Sequence, residues 1–468
     1  MAVGGVTPTP SRGRGGALLT DLYQLTMLKA YWEHGMHETA VFELFVRRLP
    51  PNRNFLLAAG LAHALDYLED LRFEPDELEW LGGQPGFPPA FVDWLADLRF
   101  TGDVDAMPEG TVFFPEEPLL RVTAPLPEAQ LVETRLISLL NYSSLIASKA
   151  IRFRLAAPKA RLVDFGLRRA HGSEAGLFAA RAAYLAGFDG TATALAGQRW
   201  GIPTFGTMAH SFIQAHDSEA DAFVRFARAH PENAVLPIDT YDTEAGASKV
   251  VEIAADLRAE GIEIGAVRLD SGDLAAHARR VRRMLDEGGF PGVRIFASGS
   301  LDEHRVARLA DVPIDGFGVG TALTVSADEP ALDSVYKLQE YAGRPRRKRS
   351  EGKATWPGRK QVFRTCERGR LARDVLGLED EALSGEAMLV PVARAGARLR
   401  LDPPLEEIRD RVRTSLETLP AELRGLESAR TPFPVEPSPG VREMAREVDR
   451  RSSGGDVGEG FAATVRPG

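Results

Sequence analysis

Between residues 161 and 317 the chain repeats one plan: a short apolar run, a loop carrying glycine or polar residues, then an amphipathic stretch with helical spacing. The apolar runs fall at 161–165, near Phe188, and at 202–205, 234–238, 264–269, 293–297 and 315–317. The helical stretches cover 174–185, 194–199, 210–229, 244–260, 274–286 and 302–310. Such alternation implies a parallel sheet, because each helix carries the chain back before the next strand can pair. With about seven units the expected fold is α/β, an irregular parallel (β/α) barrel, closed or nearly closed.

The barrel is expected over residues 127–334, with an additional N-terminal α+β domain over 17–126. That first domain should hold a helix capped by Thr20 or Asp21, whose apolar stripe is Leu22, Leu25, Leu28 and Tyr31. Tyr23 and Gln24 fall off the stripe. A strand at 39–47, helices at 58–71 and 89–98, and short strands broken by Pro108, Pro115 and Pro118 complete it. One long helix is expected from residue 127 through 140 toward 155. Past Thr324 the alternation stops, and a segment of about 335–400 reads as returning to the first domain. Its basic run at 344–349 reads as a solvated face. Residues 401–468 form a C-terminal helical extension and tail that frays or wraps the surface from Pro432, and 1–16 read as a disordered tail.

A net charge of −9 argues against nucleic acid as a partner, so an anionic ligand must be held by local arginines. The single cysteine, Cys366, allows neither an internal disulfide nor a cysteine-rich zinc site, which fits a reducing cytoplasm. The longest apolar runs are too short to span a bilayer and no apolar signal core is seen near the N-terminus, so membrane insertion and export are not expected.

Barrels bind ligands on the loops that follow their strands, so those loops are read together. At the centre lies 201–211, GIPTFGTMAHS, where a strand opens through Gly206-Thr207 into a helix beginning near His210. The turn offers a capping hydroxyl and free N–H groups to an anion, with the imidazole at its mouth. Around it the loops bring Asp164-Phe-Gly-Leu-Arg-Arg169, Asp239-Thr-Tyr-Asp242, Val267-Arg-Leu-Asp-Ser-Gly-Asp273, Ala297-Ser-Gly-Ser300 and Phe317-Gly-Val-Gly-Thr321. The Ser298-Gly299 and Gly318-Val-Gly-Thr321 loops follow the last two strands, where barrels commonly seat a phosphate. Arg168, Arg169 and Arg268 supply planar forks for carboxylate or phosphate. Asp270 and Asp273 can accept from a sugar diol or hold magnesium through water. His210 can then attack phosphorus or act as a general base, with Asp239 as the carboxylate that fixes its tautomer. His171 and His216 are nearby competitors, His216 reading as solvent-facing.

These motifs, with Leu19-Thr-Asp-Leu-Tyr-Gln24, Phe42-Glu-Leu-Phe45 and Gly187-Phe-Asp-Gly190, resemble the nicotinate phosphoribosyltransferase family over about residues 18–365. The resemblance implies nicotinate, phosphoribosyl pyrophosphate and ATP as substrates, Mg2+ as cofactor, and a homodimer with active sites across the interface. It implies that His210 is transiently phosphorylated and that Tyr23 reaches the neighbouring subunit's site to contact the pyridine ring. Arg268 and Thr207 would contact nicotinate with Arg168, Phe165 would stack on the ring, and Asp270 would hold the ribose hydroxyls. Arg169, Ser298, Gly299, Gly320 and Thr321 would hold phosphate. No metal ligands are assigned. His171 departs from the family pattern, which has glutamine at that place.

The nearest alternative is the related nicotinamide enzyme, which places an aspartate in the loop corresponding to residues 190–193. Ala192 stands there in this chain, and lacking a carboxylate it favours the charged acid. A quinolinate enzyme would have no place for His210. A non-catalytic ligand-binding barrel is the reading from another class, and intact His210, Asp239 and Arg268 weigh against it.

Overall fold

The computed structural model describes residues 16–454, so the tail expected at 1–15 and the stretch 455–468 lie outside the described residues. The Thr39–Val46 strand is buried along its length after Thr39, which requires neighbours on both edges. Ser334–Tyr341 pairs with one edge and Pro118–Pro125 with the other, both antiparallel. The sheet continues through Asp103–Ala106 to Val390–Arg394 and Ala397–Arg398, so strands from beyond residue 330 stand at both of its ends.

The second sheet is parallel throughout. Its order is Gly190–Thr191, Arg161–Asp164, Gly316–Val319, Arg294–Ala297, Ile264–Leu269, Ala234–Pro237. The expected strand at 202–205 contributes one isolated bridge, Thr191 to Thr204, because Pro203 has no N–H to extend a ladder. From there to Ala234–Pro237 the gap is crossed by side chains. The Thr207 hydroxyl donates to the Val235 carbonyl, and the Asn233 amide donates to Gly206 O at 2.9 Å. Among the described residues no backbone ladder closes the sheet, so where an irregular barrel, closed or nearly closed, is expected the backbone forms an open parallel array.

The Glu133–Ala156 helix serves both cores. Leu136, Leu140 and Leu145 pack with the antiparallel sheet's cluster, whereas Ile146, Ala150 and Phe153 pack with the parallel one. The single helix expected from residue 127 breaks at Val132, after Leu126–Leu131. The helix expected at 210–229 is likewise two, His210–Gln214 and Glu219–Ala229, the second restarting where the Ser218 hydroxyl accepts Asp221 N–H. On the Leu22–Glu33 helix Leu22 is 61% exposed, and Gln24, expected off the stripe, is fully buried. Its amide donates to Glu133 at 3.0 Å and accepts from Gln130 at 2.9 Å, which satisfies it in the core. A further helix, Pro75–Gly82, is held by a Glu74–Glu77 capping box that the sequence reading passed over.

The segment after Pro432 does not simply fray. Val435–Pro437 pairs parallel with Arg370–Leu378, and the Pro439–Gly454 helix follows. Arg347 is half-buried 3.6 Å from Asp449 of that helix, so the basic run is not wholly a solvated face. No helix among the described residues is long and apolar enough to cross a membrane.

Candidate active site

His210 opens the short His210–Gln214 helix, after Ala209, which has no side chain to cap it. The expected capping hydroxyl, on Thr207, is directed to Val235 instead. Imidazole Nδ1 lies 2.9 Å from Thr240 Oγ1. Nε2 faces Asp239 Oδ1 at 3.8 Å and Asp270 Oδ2 at 3.9 Å. The hydrogen-bond partner of the ring is therefore Thr240, and Asp239 acts on it across an ionic distance. Asp239 is fixed elsewhere: its Oδ2 accepts the Asp270 N–H at 2.9 Å and the Ser271 hydroxyl at 2.7 Å. Its Oδ1 is buried with no hydrogen-bond partner and faces the imidazole.

Arg268 projects from the Ile264–Leu269 strand with its guanidinium 3.8 Å from Asp270 Oδ2. Its Nε is buried and unpartnered, leaving donors for a ligand carboxylate. The other Asp270 oxygen accepts the Ser298 hydroxyl at 2.6 Å. Gly299 follows with φ +91°, and a Cβ there would stand 2.1 Å from the Asp270 carbonyl, so only glycine fits. Asp273, read as an acceptor for a sugar diol or a magnesium ligand through water, has one oxygen engaged in a helix cap. Its Oδ1 caps the Leu274–Glu287 helix by accepting from Ala275 and Ala276, and these backbone bonds hold its carboxyl below the usual range.

Asp164 ends its strand fully buried, which pushes its carboxyl up, while its oxygens accept the Gly166 N–H at 2.8 Å and the Thr191 hydroxyl at 2.7 Å. It thereby holds the turn that carries Phe165. The Phe165 ring lies across Gly318, where a Cβ would come within 2.3 Å of it. Gly320 sits under the Phe165 carbonyl and opens the Thr321–Thr324 turn. Arg168 and Arg169, on the Leu167–Arg169 turn, are exposed and carry no ion pair among the described residues.

Tyr23 is not at this mouth. It is 48% exposed on the Leu22–Glu33 helix, with Glu133, Asp21 and Thr134 about its hydroxyl. His171 is exposed. His216 lies past the end of the short helix, half-buried, with Nδ1 2.7 Å from the Phe212 carbonyl. Thr240 and Ser271 were missed as functional candidates, although both stand in motifs already singled out, each next to an acid of the site. Among the described residues no group of three or more His, Cys, Asp or Glu could hold a metal ion. The arrangement sets an imidazole, two carboxylates and a guanidinium beside one another, with glycine turns next to them.

The sequence model for the nicotinate phosphoribosyltransferase (NAPRTase) N-terminal domain matches residues 18–141, and that for the nicotinate phosphoribosyltransferase family matches residues 160–353. The chain is 51% identical to nicotinate phosphoribosyltransferase pncB2 of Mycobacterium tuberculosis, covering 92% of this chain and 94% of that one. It is 40% identical to nicotinate phosphoribosyltransferase of Bacillus subtilis over 80% and 78% of the two chains. The crystal structure of human nicotinic acid phosphoribosyltransferase superposes with a TM-score of 0.84 at 31% identity, covering 92% of this chain and 100% of that one.

Proposed function

The chain belongs to the nicotinate phosphoribosyltransferase family, and from this we propose that it is an enzyme of NAD salvage. It joins nicotinate to phosphoribosyl pyrophosphate, giving nicotinate mononucleotide and pyrophosphate, with ATP hydrolysis coupled through phosphorylated His210. The observation that carries this reading is the meeting of His210, Asp239, Arg268 and Asp270 within 4 Å of one another in a chain of pairs. The side-chain closure between Thr207 and Val235 supports reading the open sheet as the family's irregular barrel.

In this reading Arg268 pairs with the nicotinate carboxylate, its buried unpartnered Nε being a donor that would otherwise stay unsatisfied. Phe165, packed against Gly318, stacks on the pyridine ring. Thr207 can only accept from the ligand while it donates to Val235, and Arg168, exposed and without an ion pair among the described residues, is a further fork for the carboxylate. Asp270 takes the ribose hydroxyls, and Ser298, Gly299, Gly320, Thr321 and Arg169 take phosphate. Bond breaking at the sugar leaves an oxocarbenium-like centre, so the residues contribute orientation and charge more than nucleophilicity. Mg2+, when bound, would neutralise charge on the departing pyrophosphate and, with no three-ligand cluster among the described residues, would be carried largely by that substrate and water. Tyr23, away from its own mouth, is assigned to the site of a second copy in a homodimer. The exposed Ala192 places no carboxylate against the acid, which favours nicotinate over nicotinamide.

The test is His210→Ala. Loss of the ATP-dependent part of turnover, with ATP-independent exchange retained, supports the reading. Full ATP-coupled turnover in the variant refutes it.

A further inference from the structure

We propose that Thr240 is a positioning residue for phosphoryl transfer to His210: its hydroxyl donates to Nδ1, and this fixes Nδ1 as the nitrogen that reacts. The inference rests on the proposed function and concerns only how the imidazole is held.

The two ring nitrogens face different chemistry. Among the described residues the charged groups facing Nε2 are carboxylates, Asp239 Oδ1 at 3.8 Å and Asp270 Oδ2 at 3.9 Å. Carboxylates accept and do not donate, so the ring proton belongs on Nε2. Nδ1 then carries the lone pair, and its neighbour at 2.9 Å is a hydroxyl, the one group there that can donate to it. Asp239 cannot swing away to take this task. Its other oxygen is fastened to the Asp270 N–H and the Ser271 hydroxyl, and the carboxylate is 2% exposed.

In the step itself the Nδ1 lone pair forms the N–P bond to the γ-phosphorus of ATP. The bond from that phosphorus to the β–γ bridging oxygen breaks, and ADP leaves with its electron pair. The Thr240 hydroxyl gives up Nδ1 and turns to a phosphoryl oxygen. The ring becomes cationic with its proton still on Nε2, where the Asp239 and Asp270 carboxylates offset the charge.

The experiment treats the full chain with ATP labelled at the γ-phosphate, hydrolyses it in alkali and separates the two phosphohistidine isomers. Wild type should yield the Nδ1 isomer. Thr240→Val, which keeps the shape and loses the hydroxyl, should label about tenfold more slowly and lose preference for that isomer, and Thr240→Ser should restore both. An unchanged thermal midpoint in Thr240→Val assigns the loss to positioning. The Nε2 isomer in wild type, or wild-type rate and isomer in Thr240→Val, overturns the proposal while leaving the function standing. No label on wild type overturns the function and this proposal together.

Discussion

The carboxylate of Asp239 accepts the backbone N–H of Asp270 at 2.9 Å, so the two acids that face His210 are mounted on one another. A substitution at one must therefore disturb the other. Asp239→Ala is expected to raise KM for phosphoribosyl pyrophosphate as well as slow phosphorylation of His210, each by about tenfold or more. A double-mutant cycle with Asp270→Asn should be strongly non-additive in kcat/KM, and additive effects would contradict the coupling.

The Phe165 platform depends on the absence of a side chain at residue 318. Gly318→Ala would place a methyl 2.3 Å from the ring and displace it, although the backbone there is not left-handed. The expected outcome is a rise in KM for nicotinate of about tenfold at little change in the phosphorylation of His210. Steady-state kinetics beside a labelling assay separates the two.

Stability should fall as the solution is acidified, through His63. This imidazole stacks on Phe178 with centroids 4.2 Å apart, and burial, aided by nearby Arg181, lowers its pKa to about 4. The folded state refuses the proton that the unfolded chain takes up below its ordinary value of 6.5. Stability is thus complete above that value and is lost as the pH falls from there toward about 4, by about 3 kcal/mol. Urea midpoints near neutrality and at about pH 5 should differ less in His63→Gln than in wild type.

The loops of the site were legible because each follows a short apolar strand, and barrel geometry brings such loops to one mouth. Arg268, Asp270 and Gly299 could be placed from that rule alone. What the sequence does not display are pairings set by distant neighbours. Gln24 falls off the apolar stripe of its helix, yet Glu133 and Gln130 satisfy it in the core. The Thr207 hydroxyl reads as a helix cap until Val235 stands across the sheet gap and takes it. Thr240 was invisible as His210's partner because a neighbouring acid is the more obvious choice. Val435–Pro437 is a strand of three residues, too short to leave a period in the sequence.

In the proposed reaction Arg268 receives the nicotinate carboxylate. Arg268→Met keeps the aliphatic stem and removes the fork, so kcat/KM for nicotinate should drop about 100-fold while any activity with nicotinamide changes little. Equal losses on both would assign Arg268 to the scaffold instead of the substrate.

The most direct measurement is product formation by the wild-type chain from phosphoribosyl pyrophosphate and ATP, with nicotinate or nicotinamide offered in turn and the mononucleotide and pyrophosphate quantified. The account predicts nicotinate mononucleotide and pyrophosphate in equal amounts, with nicotinamide turned over far more slowly. No product from nicotinate, or nicotinamide as the preferred substrate, would contradict it.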